Sequence, residues 1–408
     1  MRIALFTNEY PPNIYGGAGV HVEYLARELA RLNDQVGSVD VLAFGEQDEQ
    51  QGKLRVRGVR APAEIPTVDP RHARLLDALM RDLAMVGAAD APDIVHCHTW
   101  YTHLAGCLAR PLTGARLVLT THSLEPHRPW KVEQLGSAYH ATTWIERTAY
   151  QNADGVIAVS EAMKDDVREL YGVPAERIRV IHNGIDPDEY RPQLSPELLR
   201  RRGIDPDLPI ILFVGRITRQ KGILHLVRAL PHLDPGAQVV LCAGAPDTPE
   251  IGEEMRSLVD ETRRSSAVPI VWLPEMLPRD ELITLYSHAA VFVCPSVYEP
   301  FGIINLEAMS CETPVVASAV GGIPEIVVND ETGILVPLEP DDSGTFEPRE
   351  PERFSRALAS AVNELMADPD RRARMGQAAR QRVLEKFSWA SSAAQTLEFY
   401  QELLSADS

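Results

Sequence analysis

The chain is poor in cysteine and in long apolar runs, and each shortage excludes a class of protein. Its five cysteines are odd in number and form no Cys-x-x-Cys pair, which argues against a disulfide framework or a structural zinc site and favours a reducing compartment. No run approaches the roughly 18 apolar residues of a membrane helix, and the apolar start over residues 1–7 is too short for a signal peptide. We therefore expect a cytoplasmic protein with no membrane partner.

The chain is also short of positive charge and especially of lysine. Its formal net charge is −18, and because nucleic-acid binding needs a basic face, we expect no nucleic-acid partner. Only five of its 40 basic residues are lysines, so each lysine, and Lys221 above all, is a candidate for a specific role. With 45% apolar residues over a length of 408, a globular protein of two domains is predicted.

Short apolar runs alternate with amphipathic segments, which is the pattern of doubly wound parallel α/β sheets. The pattern restarts after the polar stretch 183–209, so we predict a Rossmann-like domain over residues 1–190 and a second over 191–389. A C-terminal helix, 390–408, is expected to complete the first domain. The predicted strands are residues 3–7, 39–44, 94–98, 117–121, 156–160, 178–181, 210–214, 239–243, 270–273, 291–294, 314–317 and 334–336.

Two glutamates, Glu299 and Glu307, lie eight positions apart just after the predicted strand 291–294. Eight residues make a little over two helical turns, so both carboxylates can face one site at different depths. The carboxyl ends of parallel strands are where open α/β sheets bind ligands. The alternative is a surface helix with two solvated glutamates.

Two glycine-rich turns lie where a predicted strand leads into a helix. Residues 15–19 form the first, and residues 215–222 form the second, which adds Arg216 and Lys221. Two cations beside a helix amino terminus suit a diphosphate, although a solvated face is the alternative. The spacing matches neither a P-loop nor the dinucleotide fingerprint.

Several motifs lie in a fixed order along the two halves of the chain. They are Gly16-Gly17, Thr121-His122-Ser123, Gly215-Arg216 with Lys221-Gly222, Tyr298-Glu299-Pro300 with Gly302, Glu307-Ala308, and Gly321-Gly322-Ile323-Pro324-Glu325. Together they resemble the family-4 retaining glycosyltransferases of the GT-B fold over essentially the whole chain. Within that family, residues 9–21, 98–101 and 122–131 are most similar to the actinobacterial-type glycogen synthases and maltose-1-phosphate synthases.

The resemblance implies an α/β GT-B fold, with two Rossmann-like domains facing a central cleft and a nucleotide sugar on the second. Arg216 and Lys221 would stabilise the departing diphosphate without a metal, so neither a metal nor another cofactor is expected. The implied catalytic residues are His122, Arg216, Lys221 and Glu299. The implied donor-binding residues are Gly16, Gly17, Arg216, Lys221, Tyr298, Phe301, Gly302 and Glu307. Glu307 would accept the ribose hydroxyls, Glu299 would hold sugar hydroxyls, and His122 would lie beside the anomeric carbon, with retention expected by front-side attack.

The acceptor side is less defined by its residues. The implied acceptor-binding residues are Glu9, His98, Trp100, Tyr101, Arg128 and Lys131. Trp100 and Tyr101 either stack on sugar rings or pack between the two domains. His96, His98 and His103 form an alternative metal site, but their spacing does not support one.

One position departs from the family pattern. Bacterial glycogen synthases typically carry a lysine two residues before the paired glycines, where this chain has Ile14. This difference puts a simple polymer-synthase mechanism in doubt. Arg128 and Lys131 suit an acceptor phosphate, although a solvated charged face is the alternative.

The resemblance implies a retaining α-1,4-glucosyltransferase of glycogen or α-glucan synthesis. It would transfer glucose from ADP-glucose to glucose 1-phosphate, forming maltose 1-phosphate, or to the non-reducing end of an α-glucan, and UDP-glucose is left open as the donor. One alternative is a family-4 enzyme that uses a UDP or GDP sugar on a lipid or small-molecule acceptor. A sugar-nucleotide epimerase of the same fold and a catalytically inactive sugar-nucleotide binding protein are the others. A homodimer is left open.

Overall fold

A computed structural model describes residues 1–32 and 35–406. The chain forms two compact units, one made of Met1–Gly184 with the chain from Trp389 onward, and the other of Ile185–Ser388. Each unit is a largely parallel sheet with helices packed on it, which confirms the predicted α/β class. Residues 407 and 408 of the predicted C-terminal helix lie outside the described residues.

The first unit contains an eight-stranded sheet in the order β3-β4-β2-β1-β5-β6-β7-β8, in which only the β3/β4 pair is antiparallel. The prediction missed β3 and β4. All four residues of β3 are polar and exposed, so they give no alternating apolar signal, and arginines separate the buried residues of β4. The strands are β1 (Arg2–Thr7), β2 (Ser38–Phe44), β3 (Asp48–Gln51), β4 (Leu54–Val59), β5 (Ile94–His98), β6 (Arg116–Thr121), β7 (Gly155–Ala158) and β8 (Ile178–Val180).

Amphipathic helices pack against this sheet. In the first of them, Val22, Leu25 and Leu29 recur at helical spacing and are fully buried. The helices are α1 (Gly17–Arg31), α2 (Ala73–Ala88), α3 (His103–Thr113), α4 (Lys131–Leu135), α5 (Ala138–Asn152) and α6 (Glu161–Tyr171).

The second unit contains a six-stranded, fully parallel sheet in the order β11-β10-β9-β12-β13-β14. Its strands are β9 (Ile210–Arg216), β10 (Gln238–Gly244), β11 (Ile270–Leu273), β12 (Ala289–Cys294), β13 (Val315–Ser318) and β14 (Gly333–Val336). Its helices are α7 (Pro196–Arg201), α8 (Ile223–Ala229), α9 (Pro249–Ser265), α10 (Arg279–His288), α11 (Ile303–Ser310), α12 (Ile323–Ile326), α13 (Pro351–Ala367) and α14 (Pro369–Lys386). All twelve predicted strands are present in the two sheets, and their ends agree within two residues.

The strand order fixes where each unit can bind a ligand. In the first sheet the order reverses between β1 and β5, and in the second it reverses between β9 and β12. Open α/β sheets bind ligands at the carboxyl ends of the strands beside such a reversal. The turns that follow these four strands carry most of the predicted site residues.

The last helix, α15 (Trp389–Ser405), belongs to the first unit. Its buried residues Leu397, Phe399 and Tyr400 join the same core as Leu25 and Leu29 of α1. No helix of residues 1–32 and 35–406 is both long and apolar enough to cross a membrane.

Candidate functional site

Lys221 and Glu299 form an ion pair at the carboxyl edge of the second sheet. Lys221 follows β9 and Glu299 follows β12, its neighbour. Lys221 Nζ donates to Glu299 Oε2 at 2.7 Å, and the hydroxyl of Ser296 donates to the same oxygen at 2.9 Å. Burial by itself lowers the pKa of Lys221, but the Glu299 carboxylate together with Cys294 holds that pKa above its ordinary value. The lysine is therefore charged at neutral pH.

Gly222 allows the two turns to meet. Its φ is +61°, and a Cβ atom there would lie 1.9 Å from the carbonyl oxygen of Pro295. The amide of Val297 also donates to the carbonyl of Gln220 at 2.9 Å. A side chain at position 222 would therefore push apart the two turns that carry Lys221 and Glu299.

A second cation, Arg216, lies at the end of β9. Its guanidinium is paired with the carboxylate of Asp247, whose side chain is only 8% exposed. The sequence analysis missed Asp247, although its position just after β10 is a usable signal. Arg216 and Lys221 thus bring two oriented positive charges to one strand end, which is the chemistry a diphosphate needs.

Glu307 is buried in α11 and is held by two tyrosines. The Tyr190 hydroxyl donates to its Oε1 at 3.1 Å and the Tyr286 hydroxyl donates to its Oε2 at 2.8 Å. Burial raises the pKa of Glu307, and the two hydroxyls oppose that rise. Each carboxylate oxygen keeps further acceptor capacity, so recognition of a ribose stays a prediction.

The turn between Glu299 and α11 contains the other predicted donor residues. The ring of Tyr298 stacks on Phe346, with centroids 5.2 Å apart, so Tyr298 is at least a packing residue. Phe301 is buried, and Gly302, with φ +103°, precedes the first residue of α11. The contacts predicted for these residues with a donor stay predictions.

In the first unit, Glu9 supports the glycine turn. Its buried Oε2 accepts the amides of Tyr15 at 3.1 Å and Gly16 at 2.9 Å, and α1 begins at the next residue, Gly17. These bonds use the Gly16 amide inside the protein and give Glu9 a clear structural role. Its acceptor contact stays a prediction.

A cluster of histidines surrounds His122, which directly follows β6. Nε2 of His122 lies 3.0 Å from Nδ1 of His98, the last residue of β5. The ring of His21, from α1, meets His122 edge to face at 4.7 Å, and its Nδ1 lies 2.6 Å from Oδ1 of Asn183. The sequence analysis assigned no role to His21 or Asn183, because only the fold brings them to His122. His98 is 0% exposed and lies against His122, and its contact with an acceptor stays a prediction.

These histidines are neutral near pH 7. Burial lowers the pKa of His21 to about 4 and holds the pKa of His98 and His122 well below the ordinary value. The ligand nitrogens of these three residues lie within 4.8 Å of one another, and neutral imidazoles bind transition metals. Among the described residues, these three histidines are the group that could hold a metal ion. The expectation that the protein needs no metal stays a prediction.

The predicted phosphate-binding cations lie on the turn after His122. Arg128 Nη1 donates to Oε1 of Glu125 at 3.3 Å and to the Ser123 hydroxyl at 3.2 Å. Lys131 is 8% exposed, and its Nζ donates to Gln134 Oε1 at 2.7 Å. Both cations therefore already have partners within the unit, and an acceptor phosphate would have to compete with them.

The predicted aromatic platform is packed inside the first unit. Trp100 is buried and stacks on Tyr101 with centroids 4.0 Å apart. Tyr101 also meets Phe44 edge to face, and the guanidinium of Arg74 lies over its ring. These contacts give both rings a packing role within the first unit, and stacking on a sugar stays a prediction for both.

Comparison with known proteins assigns the chain to a class. Residues 15–189 match Glycosyltransferase Family 4, and residues 195–382 match Glycosyl transferases group 1. The chain belongs to the family-4 glycosyltransferases and is a glycosyltransferase, as the motifs predicted.

Individual members of this family are similar to the chain over nearly its whole length. The chain is 49% identical to alpha-maltose-1-phosphate synthase of Mycolicibacterium smegmatis, over 99% of this chain and 100% of that protein. It is 46% identical, with the same coverage, to alpha-maltose-1-phosphate synthase of Mycobacterium tuberculosis, and 31% identical to the glycogen synthase of that organism over 98% of this chain and 94% of the relative.

Solved structures agree on the fold. The sucrose-phosphate synthase of Thermosynechococcus elongatus superposes with a TM-score of 0.79 at 25% identity, over 100% of both chains. The catalytic domain of starch synthase IV of Arabidopsis thaliana, bound to ADP and acarbose, gives a TM-score of 0.74 at 19% identity over 99% of both chains. These neighbours confirm the predicted GT-B fold.

The buried neutral histidines predict that the first unit loses stability in acid. A histidine with a depressed native pKa takes up its proton on unfolding, so its contribution is complete above about pH 6.5 and is lost as the pH falls toward the native pKa. Burial lowers the pKa of His103 to about 3. The free energy of unfolding, measured by calorimetry, should fall less steeply between pH 6.5 and 4 in His103→Leu than in wild type. The difference in slope should be up to about 1.4 kcal/mol per pH unit. His232→Leu, at an exposed position of the second unit, is the control, and equal slopes for H103L and wild type would contradict the prediction.

Proposed function

We propose that this glycosyltransferase transfers glucose from ADP-glucose to glucose 1-phosphate, with retention of configuration, and so forms maltose 1-phosphate and ADP. The observation that carries this proposal is the 49% identity, over the full length of both chains, to an alpha-maltose-1-phosphate synthase. The weaker similarity to a glycogen synthase supports the end of an α-glucan as a second acceptor.

The second unit supplies the cations that would stabilise the departing diphosphate. Negative charge grows on the leaving group as the glycosidic bond breaks, and oriented cations that strengthen in the transition state lower the barrier. Arg216 and Lys221 are held for this purpose by Asp247 and Glu299. We infer that these two cations take the place of a divalent metal. Glu299 would also accept sugar hydroxyls, and Glu307 would accept those of the ribose.

The first unit supplies a neutral histidine. Positive charge develops at the anomeric carbon, and a protonated imidazole beside it would oppose that charge. Burial keeps the pKa of His122 low, so the ring can donate a hydrogen bond to the sugar without adding a positive charge. In front-side attack, the acceptor hydroxyl bonds to the anomeric carbon on the face that the diphosphate leaves, and the diphosphate oxygen accepts its proton.

The acceptor phosphate is assigned to Arg128 and Lys131. A sugar phosphate carries about two negative charges near neutral pH, with a second pKa near 6, whereas a glucan end is neutral and has no use for cations. Each charge-assisted hydrogen bond to the phosphate would contribute about 1.5 to 3 kcal/mol. These bonds would compete with the contacts of Arg128 with Glu125 and Ser123 and of Lys131 with Gln134.

The product identifies both substrates. Purified protein should be offered ADP-glucose, UDP-glucose or GDP-glucose with either glucose 1-phosphate or glycogen, and products should be identified by mass and anomeric configuration. We expect maltose 1-phosphate from ADP-glucose and glucose 1-phosphate as the fastest reaction. Transfer only to glycogen, a preference for another nucleotide, or consumption of the donor without an acceptor would contradict the corresponding part of the proposal.

If Arg128 and Lys131 bind the acceptor phosphate, replacing them should change the KM of the acceptor and leave the binding of the donor unchanged. Changing Arg128 and Lys131 together to Ala should raise KM for glucose 1-phosphate at least about tenfold, because two charge-assisted contacts are lost, and should leave ADP-glucose affinity nearly unchanged. Lys164→Ala with Arg168→Ala on α6 removes the same charge from the same unit and is the matched control. If R128A/K131A has a native melting temperature and an unchanged KM for glucose 1-phosphate, the assignment of these two residues to the acceptor phosphate is wrong.

A further inference from the structure

The hydrogen bond between His98 and His122 raises the question of which ring holds the proton. The two nitrogens, His98 Nδ1 and His122 Nε2, are 3.0 Å apart, and the rings are inclined by 29°. Both rings are neutral near pH 7. One nitrogen must therefore donate while the other accepts, and each choice fixes the tautomer of both rings.

The other nitrogen of His98 decides between the two choices. His98 Nε2 is buried and has no hydrogen-bond partner in the described part of the chain. If His98 carried its hydrogen there, a buried N–H donor would be left unpaired. If it carries the hydrogen on Nδ1, only a lone pair is left, and an unpaired buried acceptor is tolerated better than an unpaired donor. The favoured arrangement has His98 donating and His122 accepting.

Neighbouring residues hold the His98 ring in this orientation. The ring of His96 lies against it, with centroids 4.2 Å apart. His96 is itself fixed on both sides, with Nδ1 2.5 Å from the Tyr400 hydroxyl and Nε2 2.6 Å from the Thr120 hydroxyl. The centroid of the His21 ring lies 5.3 Å from that of His98. His98 is therefore an uncharged, fully buried histidine packed among other rings beside His122.

We propose that His98 is a positioning residue: its Nδ1–H donates to Nε2 of His122 and so holds His122 as the tautomer with its hydrogen on Nδ1. The donor group of His122 is then the ring nitrogen that His98 does not occupy, and it is available to a sugar hydroxyl oxygen. The opposite tautomer would present only a lone pair there. This inference rests on the proposed role of His122 toward the donor sugar, but the tautomer itself is independent of which sugar is transferred.

Nitrogen NMR tests the tautomer directly. In the full-length protein labelled with ¹⁵N-histidine, protonated and unprotonated ring nitrogens have well-separated shifts, and the His122 signals are assigned by their loss in His122→Ala. We expect His122 to show a protonated Nδ1 and an unprotonated Nε2 between pH 7 and 8. A protonated Nε2 would overturn the proposal while leaving the product assay, and hence the proposed function, untouched.

Substitutions at His98 test its effect on catalysis. Asn places an amide N–H close to the position of Nδ1, whereas Gln places it farther along the side chain and Leu removes it. We expect His98→Asn to retain kcat within about threefold. We expect His98→Gln and His98→Leu to lower kcat about 10- to 100-fold, by analogy with the loss of a partner that orients a metal-ligating histidine. ADP affinity should be unchanged in all three, and His103→Leu, another buried histidine of this unit, should retain wild-type kcat.

The pattern across the variants separates positioning from packing. Equal losses in His98→Asn and His98→Leu would mean that His98 acts only by filling space, and a wild-type kcat in His98→Leu would mean that the hydrogen bond is not used. Either result overturns the proposal. If His98→Leu fails to fold by melting temperature, the comparison of His98→Asn with His98→Gln and the NMR assignment decide it.

Discussion

The ion pair between Lys221 and Glu299 is the interaction on which the donor half of the site depends. It joins the turns after β9 and β12, at the reversal of strand order. The two turns can approach because position 222 is glycine, and Ser296 adds a hydrogen bond to the same carboxylate oxygen. Removing Lys221 would leave the buried carboxylate of Glu299 without its cation, which is destabilising, whereas the Lys221 side chain is 22% exposed. The same contact that stabilises the loops therefore holds Lys221 charged where a diphosphate would need it.

The histidine cluster of the first unit is uncharged, in contrast to the cations of the second unit. His21, His98 and His122 are kept neutral by burial, and Arg128, on the turn after His122, is paired with the buried carboxylate of Glu125. A nearby cation opposes the positive charge that develops on the sugar, whereas fixed cations stabilise a leaving diphosphate. Each unit thus has the electrostatic character that its proposed half of the reaction requires.

Much of this could be predicted from the sequence because strand periodicity and motif position are local properties. All twelve predicted strands were found, and the ends of β9 and β12 carry the predicted cations and carboxylates. The polar edge strand β3 was missed because it buries no side chain. Tyr190 and His21 were missed for another reason: their partners lie 117 and 162 positions away in the chain. The stacking of Trp100 within the core also depends on tertiary packing that no local pattern encodes.

The most direct test of the account is turnover in the absence of divalent metal, measured for wild type and Lys221→Ala. We predict that wild type keeps its full rate in excess chelator, and that Lys221→Ala lowers kcat by about 10²-fold or more, the usual scale for one preorganised donor of charge. Lys164→Ala, a surface lysine of the first unit, should behave as wild type. Loss of activity in chelator that magnesium or manganese restores, or an effect of Lys221→Ala confined to KM, would contradict the claim that protein cations stabilise the departing diphosphate.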